Sequence, residues 1–480
     1  MASDQSNEQE AARLALLRER VAKLEAEIDE KERSFRVVSA QLHAKEAELR
    51  KITSSLGWRL LSRYGRIKYR YLMPVYRLLG LGRKRTLARQ SAQDAAGSGT
   101  GSFGLPGKYD IICLPIIDWD FRFQRPQQLL TRFAQEGHRV FYINSRFRNL
   151  TLNFRADEIN RNIYDVKLAG PAHLNFYTDE IKDNMLERLL RALEDLRCQA
   201  GIEDAVCLTQ LPFWSPLAFA AQEKWGWKVV YDCLDEHSGF STTSKTVLRH
   251  EGPLIARSDL VVATSRVLYN KAFGRAKQIV LLPNAADFEH FNQPAPLRPL
   301  SDLPKPIIGY YGAISGWFDI EMVRNAAVAR PHWQFVLIGS TIGADVSSLD
   351  KLANVHLLGE QHYASLPGYL HQFDVACIPF LRNPLTEAAN PVKFYEYLSA
   401  GKPVVALDLP ELEPYREYFY PVRSVADFVP QVEAALKERS HDKVQARVEF
   451  ARRNTWPDRY KELDSAIKQL YPKGLLVLTT

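Results

Sequence analysis

The chain has no stretch of 18 consecutive apolar residues, which excludes a membrane-spanning helix by hydropathy. It has five cysteines (Cys113, Cys198, Cys207, Cys233, Cys377), an odd and scattered set without paired or zinc-like spacing. That argues against a disulfide framework and fits reduced thiols, most of them small core residues. The opening Met1-Ala2-Ser3-Asp4-Gln5 is polar and lacks the apolar core of a signal peptide, so a cytoplasmic protein is expected. No acidic motif of the kind that holds a catalytic divalent metal is evident, so no metal and no cofactor are expected. Residues 9–56 contain neither proline nor glycine, and residues 58–90 contain no Asp or Glu.

Those last two absences frame the N-terminal region. From Leu14, Leu17, Val21, Leu24 and Ile28 on to Leu56, apolar residues recur at alternating steps of three and four. This heptad pattern predicts a coiled coil over 9–56, with Lys31 and Lys45 at d positions, and hence a homo-oligomer. The alternative is a single amphipathic helix lying on the globular part. Trp58 to Gln90 carries ten Lys or Arg, so this stretch is +10 and the remainder of a +7 chain is −3. Leu56, Leu60, Tyr64, Ile67 and Tyr71 share one helical face beside Arg59, Arg63, Arg66 and Arg70. A basic amphipathic arm of this kind suits an anionic membrane surface better than nucleic acid, because its apolar stripe needs a place to lie. Residues 91–107 are small and glycine-rich and read as a flexible linker.

Downstream, uniformly apolar runs alternate with helical ones, the signature of parallel sheets covered on both faces. Expected strands are 109–115, 139–144, 205–209, 228–231, 260–264 and 278–283. After a proline-rich hinge at 294–306 they resume at 307–311, 334–338, 355–357, 375–379 and 404–407. The fold expected is two Rossmann-like doubly wound α/β domains facing a cleft, 108–293 and 307–450, with 451–480 as a terminal helix. The N-terminal portion divides as 1–57 coiled coil, 58–90 arm and 91–107 linker. Such sheets bind ligands at the carboxyl ends of their strands.

The stretch Asn390-Pro391-Val392-Lys393 through Gly401-Lys402-Pro403 reads as a capped helix feeding a strand. Asn390 suits the N-cap, Pro391 the first helical position and Gly401 the left-handed stop. Lys393 and Glu396, three apart, share one face near the helix start. There the free N–H groups and the macrodipole favour an anion such as a phosphate. On spacing alone, a solvated Lys–Glu pair remains an equal reading.

Several further segments carry a resemblance. Gly309-Tyr310-Tyr311-Gly312-Ala313, Phe335 through Gly339, Val355 through Gly359 and Asp374 through Phe380, ending in the Lys393–Glu396 stretch, resemble the nucleotide-sugar domain of two-domain (GT-B) glycosyltransferases of the group 1, family 4-like type. Arg122-Phe123-Gln124-Arg125-Pro126-Gln127, Gly137 through Val140 and Ser258 through Ser265 resemble that superfamily's acceptor domain. Asn454-Thr455-Trp456 through Arg459 is similar to its terminal helix, which packs back across the domains. The resemblance covers about residues 108–470 and implies a set of roles. Glu396 holds the nucleotide ribose, Lys393 neutralises the diphosphate, and Gly312 and Ala313 let the backbone approach the phosphates. Many relatives carry a second Glu eight positions before Glu396. Here Ala388 stands there, with Glu387 adjacent as a substitute.

In the first half, the loop Tyr231 through His237 follows a strand, and Asp235, Glu236 or His237 is expected to take the acceptor's proton or orient the sugar. Asp118 and Arg125 are cleft-edge candidates on the acceptor side. The implied reaction is metal-independent transfer, retaining by resemblance, from a nucleoside-diphosphate sugar to a lipid-linked saccharide. The expected place is the inner face of the cytoplasmic membrane, where an oligomer would build a surface polysaccharide. The alternatives are a sugar-nucleotide epimerase or hydrolase of the same fold, and a non-catalytic membrane-associated scaffold.

Overall fold

The computed structural model describes residues 103–104, 107–147, 150, 152–171, 174–293 and 297–471. The expected coiled coil, the basic arm and nearly all of the linker lie outside the described residues. The chain divides into two compact units, Met1–Gly97 and Ser98–Thr480, and the described residues all belong to the second.

Two sheets organise this unit. The first has eight strands: β1 (Asp110–Leu114), β2 (Val140–Ile143), β3 (Phe154–Asn160), β4 (Ile163–Leu168), β5 (Ala205–Thr209), β6 (Lys228–Cys233), β7 (Leu260–Ala263) and β8 (Ile279–Leu281). Their spatial order is β3-β4-β2-β1-β5-β6-β7-β8. The second has six: β9 (Ile307–Tyr311), β10 (Gln334–Ile338), β11 (Val355–Leu357), β12 (Val375–Ile378), β13 (Val404–Leu407) and β14 (Tyr420–Val422), in the order β11-β10-β9-β12-β13-β14. Every strand pair is parallel except β3–β4. The interior strands are buried along their whole length, as in β1, β5, β9 and β12. That is why they read as apolar runs without alternation.

Apolar patterning in the sequence locates eleven of these strands and misses β3, β4 and β14. The β3 segment is Phe-Arg-Ala-Asp-Glu-Ile-Asn, buried only at its first and third residues. An edge strand of that composition has no continuous apolar run to find. Helix Ser215–Trp225 is also not among the expected elements, because Pro at its second position and a near-uniform apolar face hide its period.

Strand order reverses between β1 and β5 in the first sheet and between β9 and β12 in the second. Ligand crevices form outside the carboxyl ends at such switch points. The loops there are 115–124 and 210–214 in one sheet, and 312–318 and 379–388 in the other. Within the second sheet the two loops are stitched together: Phe318 bridges Phe380, and Leu381 N–H donates to the Trp317 carbonyl (2.8 Å).

The last helix, Trp456–Lys468, starts where the Thr455 side chain accepts from Asp458 N–H. Trp456, Tyr460, Leu463 and Ile467 recur at helical spacing. They enter the apolar cluster of the first sheet beside Leu129, Leu130 and Phe133 of helix Arg125–Gln135. Tyr109 Oη donates to Asp464 from the same side (2.6 Å). Helix Trp456–Lys468 is thereby fixed to the first sheet.

Candidate active site

Helix Val392–Ser399 begins one residue later than expected. Pro391, in an extended conformation, occupies the cap position, and no side chain caps the turn. Asn390 fails as a cap because its acceptor is already used. Its Oδ1 takes the Asn284 N–H (2.9 Å), its carbonyl takes Asn284 Nδ2 (2.6 Å), and its own Nδ2 donates to Tyr395 Oη (3.1 Å). Asn390 therefore ties the helix to the segment that leaves β8. Uncapped N–H groups at a helix start favour an anion. The helix stops at Gly401, whose φ of +65° is the expected left-handed turn.

Lys393 extends from this helix across the turn after β9. Gly312 has φ +139°, and a Cβ built on it would collide with Lys393 Cε and Nζ. A glycine is thus required both for the backbone conformation and for the passage of the lysine stem. The Lys393 ammonium lies 5.7 Å from the Tyr310 ring centroid. Burial pushes its pKa down, opposed by Glu396 and assisted by Arg122. Ala313 contributes backbone only, its carbonyl accepting from Tyr310 Oη (3.0 Å).

Glu396 is 7 % exposed. Burial raises its pKa from 4.5 to about 7, with Lys393 pulling the other way. Beside it, the Tyr311 hydroxyl at the end of β9 is buried and faces the Glu396 carboxyl without a hydrogen bond of good geometry. Tyr311 is held by its N–H donating to Tyr397 Oη (3.1 Å). A buried carboxyl next to an unsatisfied hydroxyl is an arrangement ready for a ligand's hydroxyls.

The candidates in the first half separate by what they already bind. Asp235 is half-buried at the end of β6. Burial, then the neighbouring Asp232 charge, raises its pKa to about 6, against the pull of Arg125. Glu236 is committed elsewhere: it accepts from Ser238 N–H and Oγ and pairs with Lys271 (2.9 Å). Burial acts to raise its pKa, but these partners hold it below the usual value. His237 is buried, with Nε2 unpartnered, and burial lowers its pKa to about 4, so it is neutral. Of the three, only Asp235 combines partial access with a pKa suited to moving a proton near neutrality.

Arg125, expected at the cleft edge, turns inward. It is 4 % exposed and grips the fully buried Asp232 (Nη2–Oδ1 2.9 Å), while Nη1 donates to the Leu282 carbonyl (3.1 Å) and Asn284 Oδ1 (3.3 Å). A buried guanidinium needs a carboxylate, and Asp232 supplies it 107 residues away. Asp118 is also engaged, accepting from Ser145 N–H (2.9 Å) and Oγ (2.6 Å) and pairing with Arg146 (2.8 Å).

Glu387 ends the short helix Pro384–Glu387 and pairs loosely with Arg382 (3.4 Å). Together with Pro384 and Pro410 it forms one wall of a groove of about 620 Å³, whose other wall carries Glu236, Glu251 and Lys271. So Glu387 and Glu236 meet in one groove, while Lys393, Glu396 and Gly312 meet at the β9 turn. Glu411, which no sequence pattern singles out, is buried; it accepts from Arg266 N–H (2.8 Å) and lies 3.5 Å from Asn390 Nδ2. Neither its partners nor those of Arg125 are near in sequence, so no local pattern reveals them. Among the described residues, no three His, Cys, Asp or Glu gather in a metal-binding group, and no helix is long and apolar enough to cross a membrane.

Residues 305–453 match the family described as glycosyl transferases group 1. A Bacillus subtilis (strain 168) protein, TuaH, assigned as a teichuronic acid biosynthesis glycosyltransferase, is 28% identical over 261 residues. That alignment spans 49% of this chain and 66% of the relative. Among solved structures, sucrose-phosphate synthase from Thermosynechococcus elongatus superposes with TM-score 0.58 at 17% identity, covering 76% of this chain and 99% of that one. An E. coli trehalose-6-phosphate structure bound with UDP-2-fluoro glucose gives TM-score 0.58 at 12% identity, covering 76% and 100%. A Rickettsia africae glycosyltransferase gives 0.57 at 11%, covering 77% and 100%. These likenesses establish two α/β sheets arranged as a GT-B cleft. The family match over 305–453 and the B. subtilis relative support a glycosyltransferase enzyme.

Proposed function

We propose that this protein moves a sugar from a nucleoside-diphosphate sugar onto a membrane-linked saccharide during assembly of a surface polysaccharide. The observation that carries the reading is Lys393 lying across Gly312 at the end of β9, beside an uncapped helix start. As the glycosidic bond of the donor breaks, negative charge builds on the leaving diphosphate. Lys393, the first turn of helix 392–399 and the backbone of 312–316 meet that charge with groups already in place. Because these groups occupy that position, the proposed transfer is metal-independent. Glu396 and the neighbouring Tyr311 hydroxyl take the ribose hydroxyls. Asp235 accepts the acceptor's proton or orients the transferred sugar, and the outcome proposed is retention.

The B. subtilis relative's assignment to teichuronic acid biosynthesis supports a polysaccharide product. The 58–90 arm is proposed to hold the enzyme on the inner face of the cytoplasmic membrane, and the 9–56 heptads to make it an oligomer. Calorimetric titration with a panel of sugar nucleotides tests the core of the reading. One of them should bind to the wild type, and Lys393→Ala should abolish binding and transfer to a lipid-linked acceptor. Unchanged transfer by Lys393→Ala would refute the assignment. Flotation with anionic vesicles tests the arm: deletion of residues 1–90 should remove it, and a deleted protein that still floats would refute it.

A further inference from the structure

The turn that receives the donor phosphates is short of positive charge on its own side. From Gly312 to Met322 there is no Lys or Arg, so the turn itself supplies no cation beside Lys393. A nucleoside diphosphate carries more than one negative charge, and one partly desolvated ammonium leaves most of it unmet.

The first sheet sends a second cation to the same place. Arg122 sits in the 115–124 loop at the β1 switch point, between the exposed Phe121 and Phe123. Its Nε donates to Glu360 Oε1, on the second sheet's side of the cleft. Glu360 follows Gly359, whose carbonyl accepts from Gly339 N–H (2.8 Å), and Gly339 lies directly against the Gly312 carbonyl. The guanidinium is thereby anchored to the strand-end segment that packs against the Gly312 turn. Its charge is felt there, acting on both the Lys393 ammonium and the Tyr310 hydroxyl. Glu360 itself is 48% exposed, so it can exchange Arg122 for water at little cost.

We propose that Arg122 is the second diphosphate-binding cation, delivered from the opposite half and held in waiting by Glu360. The inference rests on the donor reading above. A guanidinium presents paired N–H donors that match phosphate oxygens, which a lysine ammonium does not. Binding the diphosphate then replaces the Glu360 contact with a phosphate contact. Because the cation and the turn belong to different sheets, donor binding also draws the two halves together.

The test is calorimetry on the full chain with UDP, GDP and ADP and their monophosphates, choosing the base that binds. Arg122→Gln is expected to weaken the diphosphate about tenfold and the monophosphate much less, and Arg122→Lys should recover part of the loss. Glu360→Gln should bind the diphosphate as well as wild type or better, since it frees Arg122. Melting curves confirm that each variant is folded. If Arg122→Gln leaves the diphosphate preference intact while Lys393→Gln removes it, the inference fails and the donor reading stands. If Glu360→Gln loses as much as Arg122→Gln, the pair is only a latch between the halves and the inference also fails. If the wild type binds none of the diphosphates, both fall.

Discussion

Replacing Glu396 with Gln should make the folded protein more stable above neutral pH while costing it the donor. The carboxyl is 7 % exposed, and its pKa is raised from 4.5 to about 7, chiefly by burial. A group whose folded pKa lies above its unfolded value binds protons more tightly when folded. Its contribution to stability is complete below pH 4.5 and is lost as pH rises towards 7. At about 1.36 kcal/mol for each pKa unit, the loss is at most about 3 kcal/mol. That value already contains the pull of Lys393, so a gain of roughly 2–3 kcal/mol above pH 7 is expected. Denaturant midpoints for wild type and Glu396→Gln should coincide near pH 4.5 and diverge through pH 7, with the variant higher. In parallel, donor affinity should drop by about tenfold or more, as a ribose acceptor becomes an amide. A midpoint difference that ignores pH, or a variant less stable at about pH 8, would mean the carboxylate is well satisfied in place and the reasoning is wrong.

Gly312→Ala adds a Cβ where Lys393 passes and asks a side chain to adopt φ +139°. It should cost about 1–3 kcal/mol in stability and weaken the donor as Lys393 is displaced, both read from a melt and a titration. Asp235→Asn should leave nucleoside-diphosphate binding intact and lower the transfer rate by about a hundredfold or more. In wild type, activity should rise through about pH 6 as this carboxyl deprotonates, and that limb should vanish in the variant. Ala388→Glu should not improve transfer; it should destabilise the fold by about 3 kcal/mol or more, since it forces a carboxylate into an apolar cluster.

The second half is legible in the sequence because its signals are local. β9, β12 and β13 are each an unbroken apolar run, β10 is one after its opening Gln334, and Lys393 and Glu396 lie three apart on one helix whose glycine stop is visible in the chain. The first half is less legible. Arg125 has a cleft-edge position in the sequence, yet its partner Asp232 is 107 residues away, so nothing nearby says that it is a buried pin. Asn390 fits every local rule for an N-cap and is drawn off it by Asn284, 106 residues away. Local chemistry predicts what a side chain can do; long-range partners decide what remains available to do it.

The same distinction bears on Ala388. In the sequence it marks a missing carboxylate. In the fold it is wholly buried within the apolar cluster of the first sheet, although it belongs to the second half. The helix Pro384–Glu387 that it follows docks on the turn His237–Gly239, where a Cβ on Gly239 would press against Leu385. A carboxylate at 388 would have to be desolvated without a partner, which no sugar contact behind this seam could offset. Small residues on both sides of the seam, Gly239 and Ala388, instead let the two halves touch without a ligand between them. Glu387 is turned aside into the groove with Arg382, and Glu236 is held by Lys271. Of these carboxyl groups, that leaves Asp235, half-buried and two residues before the His237–Gly239 turn, as the one proposed to face a transferred sugar. The proposed proton-transfer and sugar-facing roles therefore fall to one residue from the first half, and changing it should lower the rate and relax the choice of transferred sugar while nucleotide binding stays.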